Sequence, residues 1–456
     1  MLSKKKINRK KIKSVLSTSF FLILGFTPIF LGCSDNQNKK YIAPTETVSP
    51  EMMKEDFKYV VGKLKSVHPK TIEGFSETQK KIILNIEEKI RQPLTKEKFF
   101  FLVNELFHSF HDAHTTQWLV FSQGIDLPLV WLKDGLYVKK DTDLLKQGDL
   151  IESIGGQKVS QLFQKLNQIL WTENKHLIRL EGTWMLIARP YLQHLGLVEN
   201  NGVGVTLQRG TRETTVRLPI INLQRPEKDD RPFITYKIDK KTDLAVLTLD
   251  SCQFNREYRN KLREFFEETN SQKINNIALD LRRNPGRDSR VIDLFVRYID
   301  IDRVKGYGSK VRYSQDAQEK TKTMKSGVEE FPRSEKDNRK IGNKELLFSG
   351  RLFVLTSPNT FSSANMFAAV IQDNHMGTIV GEPTGNQPSC YGHPLPFQMP
   401  RTGIYFKISH KQFFRPDSTH DSIDAVYPDV EVYTTIENII NNKDTQMDRL
   451  IELIKK

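Results

Sequence analysis

The sharpest chemical signal in this 456-residue sequence is a serine at the end of an apolar run. Residues 352–368 read Leu-Phe-Val-Leu-Thr-Ser-Pro-Asn-Thr-Phe-Ser-Ser-Ala-Asn-Met-Phe-Ala, so a strand-like stretch and a polar turn lead to Ser362 at the start of an apolar helix. A helix start leaves backbone N–H groups free and presents the positive end of the helix dipole, where an oxyanion beside a serine hydroxyl would be stabilised. Ser362 is therefore a candidate nucleophile for acyl transfer. The competing use of a serine at this place is an N-cap. A second cluster, His108, His111 and His114, precedes a run of strand-like segments. The His-x-x-His spacing of 111 and 114 has no further ligand to complete a zinc site, so a solvated or core-edge pair is the better reading and no metal or cofactor is expected.

The elements that must hold these residues follow from periodicity. After Thr95, a plausible N-cap, Phe99, Leu102, Val103, Leu106, Phe107 and Phe110 form one apolar helical stripe. Residues 51–118 therefore read as an N-terminal helical domain. From 119 to 230 the pattern becomes short apolar runs with glycine punctuation. A Gly148-Asp149 turn, a strand, a Gly155-Gly156 turn and a helix resemble part of a PDZ-like module, a fold that accepts an extended peptide on a sheet edge. The alternative is a hairpin that packs on the core. A charged loop at 224–231 leads into residues 231–456, where strands (244–249, 274–281, 351–355, 377–380) alternate with helices (256–269, 291–298, 362–373). This predicts an α/β core with helices against a sheet. Residues 308–345 read as a mobile loop or lid.

Residues 1–32 read as an export signal: seven Lys and Arg without an acid, then an apolar run, 20–31, too short for a membrane span of roughly 20 residues. The run ends Ile29-Phe30-Leu31-Gly32-Cys33, which resembles a bacterial lipobox with Cys33 as the lipidated N-terminus. The polar, proline-bearing stretch 33–50 is the expected tether. Removing the signal lowers the net charge from +14 to 14 − 7 = +7. The remaining basic residues are interleaved with acids and form no stripe with aromatics, which argues against a nucleic-acid partner. Cys252 and Cys390 are far apart and read equally as a disulfide or as two buried thiols.

Six segments resemble peptidase family S41, the tail-specific or C-terminal-processing serine proteases. Residues 277–286 (Ile-Ala-Leu-Asp-Leu-Arg-Arg-Asn-Pro-Gly) are similar to the family's Asp-Leu-Arg-x-Asn-x-Gly-Gly, and residues 360–365 to its Thr-x-Ser-x-x-Glu. Residues 377–384 resemble its Gly-Glu-x-Thr strand end, and Val426 to Val430 its Pro-Asp motif. Val67-His68-Pro69 and Asp112-Ala113-His114-Thr115 resemble marks of the branch without a catalytic lysine. The resemblance spans about 51–452. It implies a crotonase/ClpP-like S41 core over 231–456 and Ser362 as nucleophile. Residues 385–388 (Gly-Asn-Gln-Pro) hold no lysine, so it leans to the tricorn-like and retinoid-binding-protein-like branch with His114 as base, an imidazole of ordinary pKa about 6.5 being suited to neutral pH. By resemblance, backbone N–H groups of Gly286 and Ser363 form the oxyanion site. Asp421 is the expected acid, with Asp424 nearby and Ser422 at the family's register.

Three residues depart from the family pattern: Arg287 for the second glycine, Asn365 for the glutamate, and Ser422 for the acid. The expected function is a serine-type endopeptidase acting on extended polypeptides outside the cytoplasm, anchored through Cys33 to a cell or outer membrane. The alternative is a catalytically silent lipoprotein of the same fold that binds peptides or small apolar ligands.

Overall fold

The computed structural model describes residues 42–170, 172–224, 230–338 and 346–456. The expected export signal, Cys33 and the first half of the tether lie outside the described residues. Among those residues, no helix is long and apolar enough to cross a membrane.

Helix α1 (Pro50–Val67) starts at the Ser49 cap with proline at its first position. Helix α2 (Glu77–Lys89) starts at a Ser76–Gln79 capping box. Helix α3 (Lys96–His108) starts where the Thr95 hydroxyl accepts the Lys98 N–H, as the sequence predicts. The phenylalanine stripe of α3 is buried from Phe99 to Phe110. The β-rich segment that follows is antiparallel: strands 212–219, 202–209, 150–154, 136–138 and 129–131 lie side by side in that order, with 157–158 paired on 150–154. Its helix, Val159–Ile169, presents Leu162, Leu166 and Ile169 to the core. These residues share one hydrophobic cluster with α1 and α3. The segment is thus continuous with the helical region in its packing.

The α/β region carries a six-stranded sheet in the order 234–239, 244–249, 276–280, 351–356, 378–381, 430–431. The first pair is antiparallel and the rest are parallel. Central strands such as Leu244–Leu249 and Arg351–Thr356 are nearly continuous apolar runs because helices cover both faces. One face packs Tyr258, Leu262, Phe265 and Phe266 of helix Arg256–Ser271, together with Phe367 of the Ser363–Asp373 helix.

The charged stretch at 308–345 differs from expectation. Residues Gly308–Tyr313 and Gly327–Phe331 are strands of a five-stranded sheet, joined by a short helix Gln315–Thr321. Val311 of Gly308–Tyr313 is buried, and backbone pairing with Tyr405–Phe414 satisfies the strand. The high charge of the stretch hid this pattern. Residues 339–345 lie outside the described residues.

Candidate active site

Ser362 lies at the carboxyl end of the central strand Arg351–Thr356, where the chain turns into the helix Ser363–Asp373. Open α/β sheets bind ligands at this end. Its backbone angles, φ 54° and ψ −123°, belong to a region that costs a non-glycine residue about 1–3 kcal/mol. The side chain makes no capping bond to the helix. A capping serine has extended backbone and lends its oxygen to the N–H of the second or third helical residue. Ser362 does neither, so the N-cap reading fails.

A set of hydrogen bonds holds this turn. The Phe361 N–H donates to the Asn284 carbonyl at 3.1 Å, the Ser362 N–H to Asn386 Oδ1 at 2.8 Å, and the Thr360 hydroxyl to the Leu281 carbonyl at 2.9 Å. Asn365, which stands where the resemblance calls for glutamate, is fully used: its Nδ2 donates to the Asn386 carbonyl and its Oδ1 accepts from Thr384, both at 2.8 Å. A neutral amide can both donate and accept here, so this departure supports the loop that carries Asn386.

Gly286 has φ 94°, and a Cβ on it would lie 2.7 Å from both Ser362 Cβ and Ser363 N. Only glycine lets the two segments approach this closely. The expectation that the Gly286 N–H faces an oxyanion needs correction, because that N–H donates to Asn284 Oδ1 at 2.9 Å. Ser363 is the first helical residue, so its N–H has no partner within the helix and is the donor beside the nucleophile. Arg287 keeps a glycine-like φ of 131° despite its side chain.

His114 arrives from the other half of the molecule. Residues Thr116–Trp118 pair with Tyr405–Lys407 as an added strand, and this pairing fixes the preceding Asp112–Thr115 segment. The His114 ring stacks on Phe361, centroids 4.8 Å apart, so it sits one residue from the nucleophile. Neither ring nitrogen has a hydrogen-bond partner, and no hydrogen bond joins His114 to Ser362. Burial, opposed by Asp112 and aided by Lys407, pushes the imidazole down from 6.5 to about 4. The base is therefore neutral at pH 7.

Behind His114 stands Asp112, wholly buried. Its Oδ1 accepts the His114 backbone N–H at 2.8 Å and lies 3.8 Å from His114 Nδ1. Its Oδ2 is 3.2 Å from His68 Nε2. His68 Nδ1 accepts the Lys70 N–H, which leaves the proton on Nε2 and makes His68 a neutral donor to a charged carboxylate. Burial pushes the Asp112 carboxyl up, but the hydrogen bond from His68, with His114 and Thr115, holds it well below the carboxylate range.

Two further groups at this place have no signature in the sequence. Glu173 accepts the Ala113 N–H at 3.0 Å, while its Oε2 is buried without a partner. Burial and the nearby Asp112 raise its pKa from 4.5 to about 8, so it carries a proton at neutral pH. The adjacent Asn174 brings it there, donating to the Thr384 and Asp424 carbonyls at 3.2 and 2.8 Å. Lys407, from the strand that receives 116–118, is the second. Burial lowers its pKa, and Asp112 and Glu181 oppose that shift. Ligand atoms of Asp112, His114 and Glu173 all lie within 4.8 Å of one another and could in principle hold a divalent cation. The positive charge of Lys407 beside them works against one.

Asp421 is placed elsewhere. Its carboxylate accepts from the Arg333 guanidinium and from the Ser389 hydroxyl, the latter at 2.5 Å. Arg333 belongs to the stretch expected to be a loop, and it takes up the charge that a triad acid would offer an imidazole. Asp424 accepts from the Tyr427 hydroxyl at 2.9 Å. The structure thus brings together Ser362, Ser363, Gly286 and His114, with Asp112 and Glu173 beside the imidazole, and gives Asp421 no contact with it. Cys252 and Cys390 are both free and buried, which resolves the disulfide alternative.

No curated protein sequence matches this chain. Two solved structures share its fold: mature CPAF, at 14% identity over 89% of this chain and 97% of that one with a TM-score of 0.64, and mature CPAF complexed with lactacystin, at 14% over 89% and 98% with 0.63. At that identity the likeness is one of architecture. Residues 243–432, which contain Ser362, the Asn284–Gly286 turn and the Asn386 loop, match the model of peptidase family S41, so this region of the chain is similar to that family.

Proposed function

We propose that this protein is a serine-type endopeptidase in which Ser362 is the nucleophile and His114 the base, acting on extended polypeptides outside the cytoplasm. The observation that carries the reading is the Ser362 turn: a strained, non-capping serine with the free N–H of Ser363 beside it and a neutral imidazole against the preceding residue. In the first half-reaction Ser362 Oγ attacks the scissile carbonyl carbon as its proton passes to His114, and the Ser363 N–H donates a hydrogen bond to the oxygen on which negative charge develops. Collapse expels the amine, which takes the proton back from His114, and leaves an acyl-Ser362 ester. Water, deprotonated by His114, then attacks the ester carbonyl, and the C–O bond to Ser362 breaks as His114 returns the proton to Ser362 Oγ, releasing the acid product. Asp112 stabilises the transient imidazolium through charge. Hydrogen bonds absent from a free enzyme often form only once substrate is bound, so the open Ser362–His114 contact is compatible with this role.

Extended polypeptides suit the antiparallel sheet of 129–219, whose edge strands 129–131 and 212–219 offer backbone pairing. Cys33 would hold the mature protein to a membrane, since bacterial lipidation supplies the multiple acyl chains that stable anchoring needs. Replacing Cys33 with Ala should release the protein or leave it unprocessed, read as loss from the detergent phase. A wholly soluble wild type would remove the anchor from the proposal.

One observation favours the second reading, a binding protein without turnover: both His114 nitrogens lack partners. Trapping with a fluorophosphonate followed by mass mapping separates the two. Adduct on Ser362, lost in Ser362→Ala, supports the peptidase. Absence of adduct supports the binder, and adduct on Ser363 overturns the assignment.

A further inference from the structure

A second cleft of about 390 Å³ lies apart from the Ser362 turn, between the first turn of α2 and the last turn of α3. Lys70, Ser76, Thr78, Gln79, His108 and His111 line it. The capping box uses the Gln79 Oε1, which accepts the Ser76 N–H at 3.0 Å, and the Ser76 hydroxyl, which accepts the Gln79 N–H at 3.2 Å. The N–H groups of Glu77 and Thr78 have no partner within the helix. The Gln79 Nε2 is buried, its residue only 3% exposed, and has no hydrogen-bond partner at all. Leaving such a donor unmet costs about 1–3 kcal/mol.

Lys70 brings a positive charge to the same place. Lys70 reaches across to the Phe110 carbonyl at 3.2 Å, and the His108 and His111 rings lie 5.7 Å apart. The acid in the lining, Glu105, stands 3.9 Å from Lys89. Burial first, then Lys70 and His108, hold the His111 pKa down. The cleft therefore offers unmet donors and the Lys70 cation.

We propose that this cleft binds a small oxyanion, a phosphate or carboxylate group, between the N-terminus of α2, the Gln79 amide and Lys70. A helix N-terminus favours such a ligand through its free N–H groups and dipole. The site adjoins the active-site scaffold, because His111 precedes Asp112 and the Lys70 N–H is bonded to His68. The proposal stands whether or not the serine chemistry does.

The test is calorimetric titration of the full chain, in chloride buffer, with inorganic phosphate and separately with acetate, beside the Gln79→Glu and Lys70→Gln variants. Gln79→Glu keeps the oxygen that the capping box needs and replaces the free donor with a charge. Saturable binding of at least one anion is expected, weakened tenfold or more in both variants, since a hydrogen bond to a charged group is worth about 1.5–3 kcal/mol. Which anion binds identifies the source, phosphate or carboxylate. Absence of saturation with both, or equal affinity in the variants, overturns the proposal. Should Gln79→Glu fail to fold, Lys70→Gln carries the test alone.

Discussion

The turn that carries Ser362 and the pocket that holds His114 are built on opposite plans. Around Ser362 the backbone is strained, but its supports are met: the Asn284, Asn365 and Thr360 side chains and the Asn386 carbonyl all have hydrogen-bond partners. Around His114 the backbone is ordinary, and the tension is electrostatic. An imidazole with two unpartnered nitrogens, a half-satisfied Glu173 and a charged Asp112 share a buried space with Lys407. Position at the nucleophile is thus enforced by geometry, and protonation at the base is set by burial and neighbouring charge.

That contrast gives a first way to break the account. Asp112 is the one charge in the pocket held by several groups, so Asp112→Ala should strip His68 of its partner and remove the anion that balances Lys407. Removing one member of a buried charged pair typically destabilises by about 3–5 kcal/mol. Urea unfolding should show a loss of that order, with Asp112→Asn losing less. A change below about 1 kcal/mol would mean that the pocket tolerates its charges without Asp112.

A smaller effect tests Glu173. Its folded pKa is raised from 4.5 to about 8, so the folded state holds this proton more tightly than the unfolded chain does. Its contribution is fully present below pH 4.5 and is lost as pH rises through 8. Glu173→Gln keeps the neutral shape and should make the protein more stable than wild type at pH 8, by roughly 1–3 kcal/mol, while the two differ little at pH 4.5. Equal stability of both proteins at both pH values would place a charged Glu173 in the pocket and contradict its burial.

The same contrast explains what the sequence revealed. The Ser362 turn was legible because its backbone restricts residue types: a glycine where no Cβ fits, an asparagine that turns the chain at 284, a serine between strand and helix. The helices α1 to α3 and the central strands were legible from periodicity and caps. Glu173 was not, because it reaches the pocket only through Asn174 binding two carbonyls more than 200 positions away. Asp421 illustrates the converse. Its place in the chain suits a triad acid, but Arg333, on a stretch whose charge masked its strands, claims the carboxylate. Contacts between distant loops leave no local pattern, and electrostatic partners least of all.

In the proposed mechanism a neutral His114, with its pKa pushed down to about 4, activates Ser362. The most direct measurement is the pH dependence of the rate at which a fluorophosphonate labels Ser362, in wild type and in His114→Ala. Because the base must be unprotonated, wild-type labelling should stay at its plateau down to about pH 5 and halve near pH 4, below the 6.5 of an ordinary imidazole. Acid unfolding, checked by circular dichroism across the same range, must not account for the fall. His114→Ala should label at least about 100-fold more slowly, without that limb. Labelling in His114→Ala at the wild-type rate, with the same acid limb, would contradict the claim.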